Sequence, residues 1–319
     1  MPWFSFHFSD FAYSFLSILF EGIPFLLLGA VVSGIVDAFV PAEALSRWLP
    51  KSHAAAIVAS ALLGLFVPMC ECGSVVVIRR LIRKGLPLSC AVTYMMGAPI
   101  VSPIVAFSTY AAFRGQNPLE MTILRLVLGF LIAIGVGFTV SNIPAEKLLQ
   151  PSVLDSIPAA ARRRTGLSMA AAGTDLDLDS PQGFTSKLFR AVQSSTSDFL
   201  DVAFFFVVGA AIASTFNTAV NQTLLQPLAT SPGLSILAMM VLAFALAICS
   251  STDAFIAASF HMFPPAAKLA FLVFGPVFDT KLFFLYGAVF RRWFVIALAI
   301  GLFLTVGIIC LQLGLVLNV

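Results

Sequence analysis

The 319-residue sequence predicts an all-α polytopic membrane protein, with about eight transmembrane helices in two repeat-related halves and broken helices at the centre. Three observations predict it. Hydrophobic residues make up 60% of the chain and charged residues 10%, and the mean hydropathy is +1.01. A soluble chain of this size needs far more charge to cover its surface. The apolar residues gather in runs long enough for a helix to cross the bilayer core, which takes about 20 residues. The sequence also matches itself in part at a displacement of 177 residues.

Eight runs qualify: residues 11–39, 54–78, 86–113, 119–141, 198–220, 234–260, 264–290 and 293–317. None alternates like a short membrane strand, which excludes a β-barrel. The one long polar stretch, 142–197, holds "ARRRTG" and "TDLDLD" among scattered Ser, Pro and Gly, and reads as a flexible cytoplasmic linker. The chain thus divides into a first transmembrane half (1–141), the linker (142–197) and a second half (198–319). The first ten residues carry no Lys or Arg, and no small-residue cleavage site closes the first run, so a cleaved signal peptide is not expected.

The displacement of 177 pairs Cys72 with Cys249, Ser74 with Ser251, Pro87 with Pro264 and Pro99 with Pro276. It also pairs Phe113-Arg114 with Phe290-Arg291 and Glu21 with Asp198, and ten identities fall between 61–114 and 238–291. Four spans per half would leave both copies facing the same way. With eight spans, the 2–3 loop and the linker hold ten cations against five in the opposite loops. The positive-inside rule then puts both termini in the cytoplasm.

Chemistry concentrates where the apolar runs are interrupted. Pro68 and Gly73 flank Cys70-Glu71-Cys72, and Arg79, Arg80, Arg83 and Lys84 follow. Unwound backbone at membrane depth survives only where protein or a wet cavity satisfies it, and transporters build binding sites from such breaks. Two thiols two residues apart are candidate soft ligands for a metal or metalloid, Cys70 and Cys72 being the metal candidates. The related stretch offers Cys249, Ser250, Ser251, Thr252 and Asp253 inside an apolar run, and the next offers Gly275-Pro276 with Asp279 and Lys281. Intramembrane carboxylates are costly and mark pathways or partners, and Lys281 is a candidate partner for Asp253. Cys90 and Cys310 read as small buried hydrophobes. Glu21 and Asp198, at the starts of equivalent runs, read equally well as acids on helix dipoles or as functional groups. Gly22, Gly29, Gly34 and Gly209 suit close helix packing.

The stretches "PMCECG…RKGLP…MMGAPIVSP" and "CSSTDAFIAASF…FPPAAKLAFLVFGPVFDTK" resemble the predicted-permease family that includes the ArsP-type organoarsenical efflux proteins. The second motif is more similar to an uncharacterised bacterial branch. The resemblance covers nearly the whole chain outside the linker. It implies a polytopic bacterial inner-membrane permease of two related halves. In the metalloid branch it implies cysteine thiols as ligands, which fall on Cys70 and Cys72 here. Ser74-Val75-Val76 stands where the family often has proline after Cys-Gly.

Together these readings give a permease moving a small solute, a soft metal or metalloid species, between the halves. Cys70, Glu71, Cys72, Ser74, Cys249, Ser251, Asp253, Asp279 and Lys281 are its candidate substrate-binding residues. The lipid bilayer and a small-molecule or ionic substrate are its partners. The alternative is a membrane scaffold or subunit working with an exported protein. No Walker A, HExxH, Ser-His-Asp or dinucleotide signature is present, so neither an enzyme nor a cofactor is expected. The net charge of +3 is small and dispersed, which argues against nucleic acid, and five cysteines in apolar runs make no disulfide framework.

Overall fold

The computed structural model describes residues 8–39, 50, 52–67, 69–155, 184–219 and 231–317. Pro68 and most of the polar linker, 156–183, lie outside the described residues. Within them every regular element is a helix, and the one β-bridge joins Leu149 to Phe290. Four helices are long and apolar enough to cross a membrane: α1 (Phe8–Phe39), α6 (Pro118–Ser141), α9 (Phe184–Ala219) and α14 (Arg292–Leu317). Between α1 and α6 come two interrupted pairs, α2 (His53–Phe66) with α3 (Glu71–Arg83) and α4 (Leu88–Gly97) with α5 (Pro103–Ala112). Two short helices follow α6, α7 (Ala145–Leu148) and α8 (Pro151–Asp155). Between α9 and α14 come α10 (Pro232–Leu246) with α11 (Asp253–Ser259) and α12 (Pro265–Phe274) with α13 (Thr280–Gly287).

The breaks have local causes. Pro103 and Pro265 stand at the first positions of their helices, where a missing N–H costs nothing. Ala247 ends α10 in the left-handed region (φ 50°, ψ 48°), which stops the helix without a glycine. Element boundaries recur at the displacement of 177: Leu88–Gly97 maps onto Pro265–Phe274 without remainder, and Phe8–Phe39 falls within Phe184–Ala219.

Contacts fix the direction of each element between two ends of the bundle. One end, the linker end, is where α6 finishes. The other is where α1 begins. α1 and α9 are antiparallel, with Ser14 beside Asn217 near one end and Ser33 bonded to Asp198 near the other. α3 runs the same way as α1, from the Gly29–Gly73 crossing to Lys84, whose Nζ donates to the Val36 carbonyl. α2 begins where α4 begins, His53 lying 3.4 Å from Ser89, and both finish together where Gly64 meets Ala98. The α2–α3 pair therefore enters from the linker end and returns to it. By contrast α4–α5 passes through, meeting antiparallel α6 at Gly137, Gly129 and Arg125 in turn.

The second set runs oppositely. Gln116, between α5 and α6, reaches the Ala258 carbonyl, His261 and Lys268, so α11 finishes and α12 begins at the end opposite the linker. α13 finishes at the linker end, where Gln150 bonds Gly287 and Trp293 bonds Lys147. α10 is antiparallel to α14, with Met240 beside Gly307 and Ala243 beside Gly275, which in turn follows the Phe274–Phe303 contact. So α10–α11 is a second hairpin, entering from the opposite end.

This corrects the expectation of eight through-running spans facing one way. Six elements run from end to end, and the runs at 54–78 and 234–260 fold back at their breaks. Both flanks of the polar stretch carry structure. Leu148, Leu149 and Val153 are buried, Leu149 pairing with Phe290, and α9 starts at Phe184. Glu21 and Asp198 lie well inside α1 and α9, so neither acid sits on a helix terminus.

Candidate functional site

Three of the four breaks bring ionisable side chains together at mid-bundle. α1 reaches the first because Gly29 lacks a Cβ: an added one would stand 2.8 Å from the Gly73 backbone. Gly209 gives α9 the same approach to Lys281, also 2.8 Å from its Cα. Small residues at such crossings let backbones meet where water supplies no hydrophobic drive.

At the first break the Cys70 thiol caps α3, accepting from Gly73 N at 3.4 Å, and Glu71 opens the helix almost fully buried. Glu71 Oε1 is 2.9 Å from Lys281 Nζ. Its Oε2 accepts from Ser250 Oγ at 3.3 Å, with Cys249 Sγ at 3.9 Å. Lys281 also donates to the Ala247 carbonyl at 3.0 Å, satisfying the left-handed turn that ends α10. Asp279 caps α13 through Leu282 N at 2.7 Å. Its other oxygen lies 3.4 Å from Lys281 Nζ, within ion-pair range but without a hydrogen bond. Two carboxylates thus share one ammonium, which neutralises part of a charge that would be costly in an apolar interior.

Cys70, Cys72 and Cys249 line one small cavity with Glu71 and Lys281, closed by Ile18, Glu21, Gly22 and Phe25 of α1 and Phe206 of α9. Its volume of about 10 Å³ suits about one water molecule. All five cysteines are free, and Cys90 and Cys310 are buried away from this cavity. Among the described residues no group of three or more His, Cys, Asp or Glu side chains is arranged to hold a metal ion. The thiols surround the cavity without converging on one point.

Asp253 is not beside Lys281. Its partner is Arg125 of α6, whose Nη2 donates to Oδ2 at 2.7 Å and Oδ1 at 3.0 Å. The same nitrogen donates to the Ser250 carbonyl at 2.9 Å, and Nη1 donates to Thr109 Oγ1 at 2.8 Å. Ser250 therefore joins the two clusters, its hydroxyl on Glu71 and its carbonyl on Arg125. Arg125 is fully buried and was absent from the sequence-based candidates, although a lone arginine eight residues into the apolar helix Pro118–Ser141 was its signal. The two remaining candidates are peripheral. Ser74 Oγ bonds back to the Glu71 carbonyl at 2.8 Å, and half-buried Ser251 donates weakly to Cys249 Sγ at 3.8 Å.

A second charged cluster lies toward the linker end. Asp198 of α9 accepts from Arg80 at 2.7 Å and Ser33 at 2.9 Å, with Arg83 at 3.5 Å, while Arg79 pairs with Asp201 at 2.9 Å. Glu21, one cavity wall, accepts from Thr252 Oγ1 at 3.1 Å at an exposed position.

Comparison with known proteins gives the family. The profile of a family described as "Predicted permease" matches residues 7–319. The chain is 36% identical over 286 residues to "UPF0718 protein YcgR" of Bacillus subtilis (strain 168), covering 89% of this chain and 90% of that protein. It is 30% identical over 301 residues to a Streptococcus mutans protein named "Putative two-component membrane permease complex subunit", covering 94% and 93%. No solved structure matches the chain. With apolar helices crossing the bundle and this match along nearly its whole length, the chain belongs to the predicted permease family and is a multi-pass membrane permease.

Proposed function

We propose that this permease carries a small soft metal or metalloid species through the mid-bundle cavity, between a first half ending with α6 and a second beginning with α9. The observation that carries the reading is three thiols lining one cavity beside Glu71 and Lys281. Soft thiolates suit such a cargo, and the Glu71–Lys281–Asp279 group can exchange protons or balance charge as it passes. The test is a thermal-shift and vesicle-flux comparison with trivalent arsenite and cadmium. Binding and flux that fall in Cys70→Ser/Cys72→Ser support the reading. A chain stabilised only by hard anions, with the double variant unchanged, overturns it.

The topology we infer has six crossings and two re-entrant hairpins, the halves being inverted repeats. Among the described residues, Arg79, Arg80, Arg83, Lys84, Lys147, Lys187, Arg190, Arg291 and Arg292 belong to elements at the linker end, nine against Arg114 and Lys268 at the other. The positive-inside rule makes the linker end cytoplasmic in the bacterial inner membrane. Both termini then lie outside, in place of the cytoplasmic termini expected from eight spans.

A second reading rests on the Streptococcus mutans relative, whose name describes a complex subunit. Under it the chain works only beside an exported partner, and purified chain alone gives no flux in vesicles.

A further inference from the structure

Inverted repeats assign each helix a counterpart, and here the counterparts are not in equivalent surroundings. α1 lies along α3 and α9 along α13, toward the linker end. The exchanged pairs, α9 with α11 and α1 with α5, do not pack along one another among the described residues. The linker end is thus the end at which α1 and α9 pack along the interrupted pairs. Its clamp is Asp198, buried between Arg80, Arg83 and Ser33.

Displacement by 177 converts Asp198 to Glu21, the acid at the cavity wall on α1. Glu21 lies about two turns nearer the opposite end than Gly29, where α1 crosses the first break. Its partner now is one hydroxyl, Thr252, at an exposed position. The residues equivalent to Arg80, Arg83 and Lys84 are Ala257, Phe260 and His261, all on or just after α11. Two guanidinium groups thus contact Asp198, whereas their equivalents by displacement, Ala257 and Phe260, carry no charge, and His261, the equivalent of Lys84, lies 3.3 Å from Gln116.

We propose that Glu21 is the gate carboxylate of the opposite end, drawing α11 onto α1 when the cavity is presented to the linker side. This is a positioning role in transport, distinct from cargo binding, and it rests on the two-half permease reading. Asp198 and Glu21 would close in alternation, and the imbalance between their partners sets which closure dominates at rest. A two-state equilibrium responds to the difference in stabilisation of its states, so a cation added opposite Glu21 shifts it.

Cys70 offers a native reporter, since it is half-buried on the cavity wall. The probe is a membrane-impermeant methanethiosulfonate applied to each face of oriented vesicles, with Cys70 modification read by mass spectrometry. In the unaltered chain modification comes from the face bearing the termini. Phe260→Arg, which recreates the Arg83 position, lowers that rate roughly tenfold and raises the rate from the linker face. Glu21→Gln in the Phe260→Arg background restores it. Asp198→Asn, independent of whether Phe260→Arg folds, raises modification from the linker face. An equal rate in Phe260→Arg and Phe260→Arg/Glu21→Gln overturns the proposal, as does an Asp198→Asn variant with unchanged linker-face labelling. Because the probe reports access and not affinity, a cavity that ignores soft ligands would sink the cargo reading alone.

Discussion

Lys281 Nζ stands 2.9 Å from Glu71 Oε1, a contact between residues 210 positions apart that joins α13 of the second half to α3 of the first. Both side chains are almost fully buried, so neither charge has water to fall back on. Removing one partner of such a pair costs about 3–5 kcal/mol, whereas removing both can be nearly neutral. Lys281→Met should therefore lower the melting temperature in detergent sharply, since it strands Asp279 as well as Glu71, and Glu71→Gln/Lys281→Met should recover the Glu71 share of the loss. A double variant as unstable as the single one would mean that the contact does not carry this charge balance.

The Arg125–Asp253 pair gives an asymmetric test. Asp253→Asn keeps a hydrogen-bond acceptor for Arg125 but leaves its buried charge without a counter-charge, so it should stop flux at some cost in stability while the chain still folds. Arg125→Leu strands Asp253 and also strips Ser250 and Thr109 of their donor, so it should cost stability as well, on the order of 3 kcal/mol. Thermal melts and vesicle flux measured on the same preparations separate the two effects. Full flux in Asp253→Asn would remove this carboxylate from the pathway.

Helix crossing at the first break depends on an absent side chain. Gly29→Val would press its Cβ to 2.8 Å from the Gly73 Cα and carbonyl oxygen, where neither backbone can yield cheaply. It should abolish transport and yield little folded protein. Gly135→Ala on α6 meets no atom within 4 Å and should be silent, which makes it the matched control. Comparable loss in both would point to generic helix effects.

Topology is open to direct measurement. A Ser168→Cys label should react from the cytoplasm, and an epitope placed before Phe8 should be reached from outside intact cells. An internal epitope with a cytoplasmic linker would restore an even number of crossings before the linker and undo the re-entrant reading of α2–α3.

Much of this was legible in one dimension. Apolar run lengths determined the membrane class, because about 20 residues are needed to span hydrocarbon whatever the neighbours do. The interruptions read at Cys70–Cys72, Cys249–Asp253 and Gly275–Lys281 fall where helices end at Phe66, Leu246 and Phe274 and resume at Glu71, Asp253 and Thr280. Proline, glycine and clustered polar residues act on their own backbone, so their effect is written locally. Direction after a break is not. A run of 25 apolar residues can cross or fold back at its middle, and its hydropathy is the same either way. Only packing decides, here through His53 against Ser89 and Gln116 against Ala258 and Lys268. Partner choice was equally hidden. Asp253 and Lys281 looked complementary, yet three-dimensional proximity gave Asp253 to Arg125 and Lys281 to Glu71 and Asp279. A buried charge takes the nearest opposite charge in space, and sequence separation carries no information about that distance.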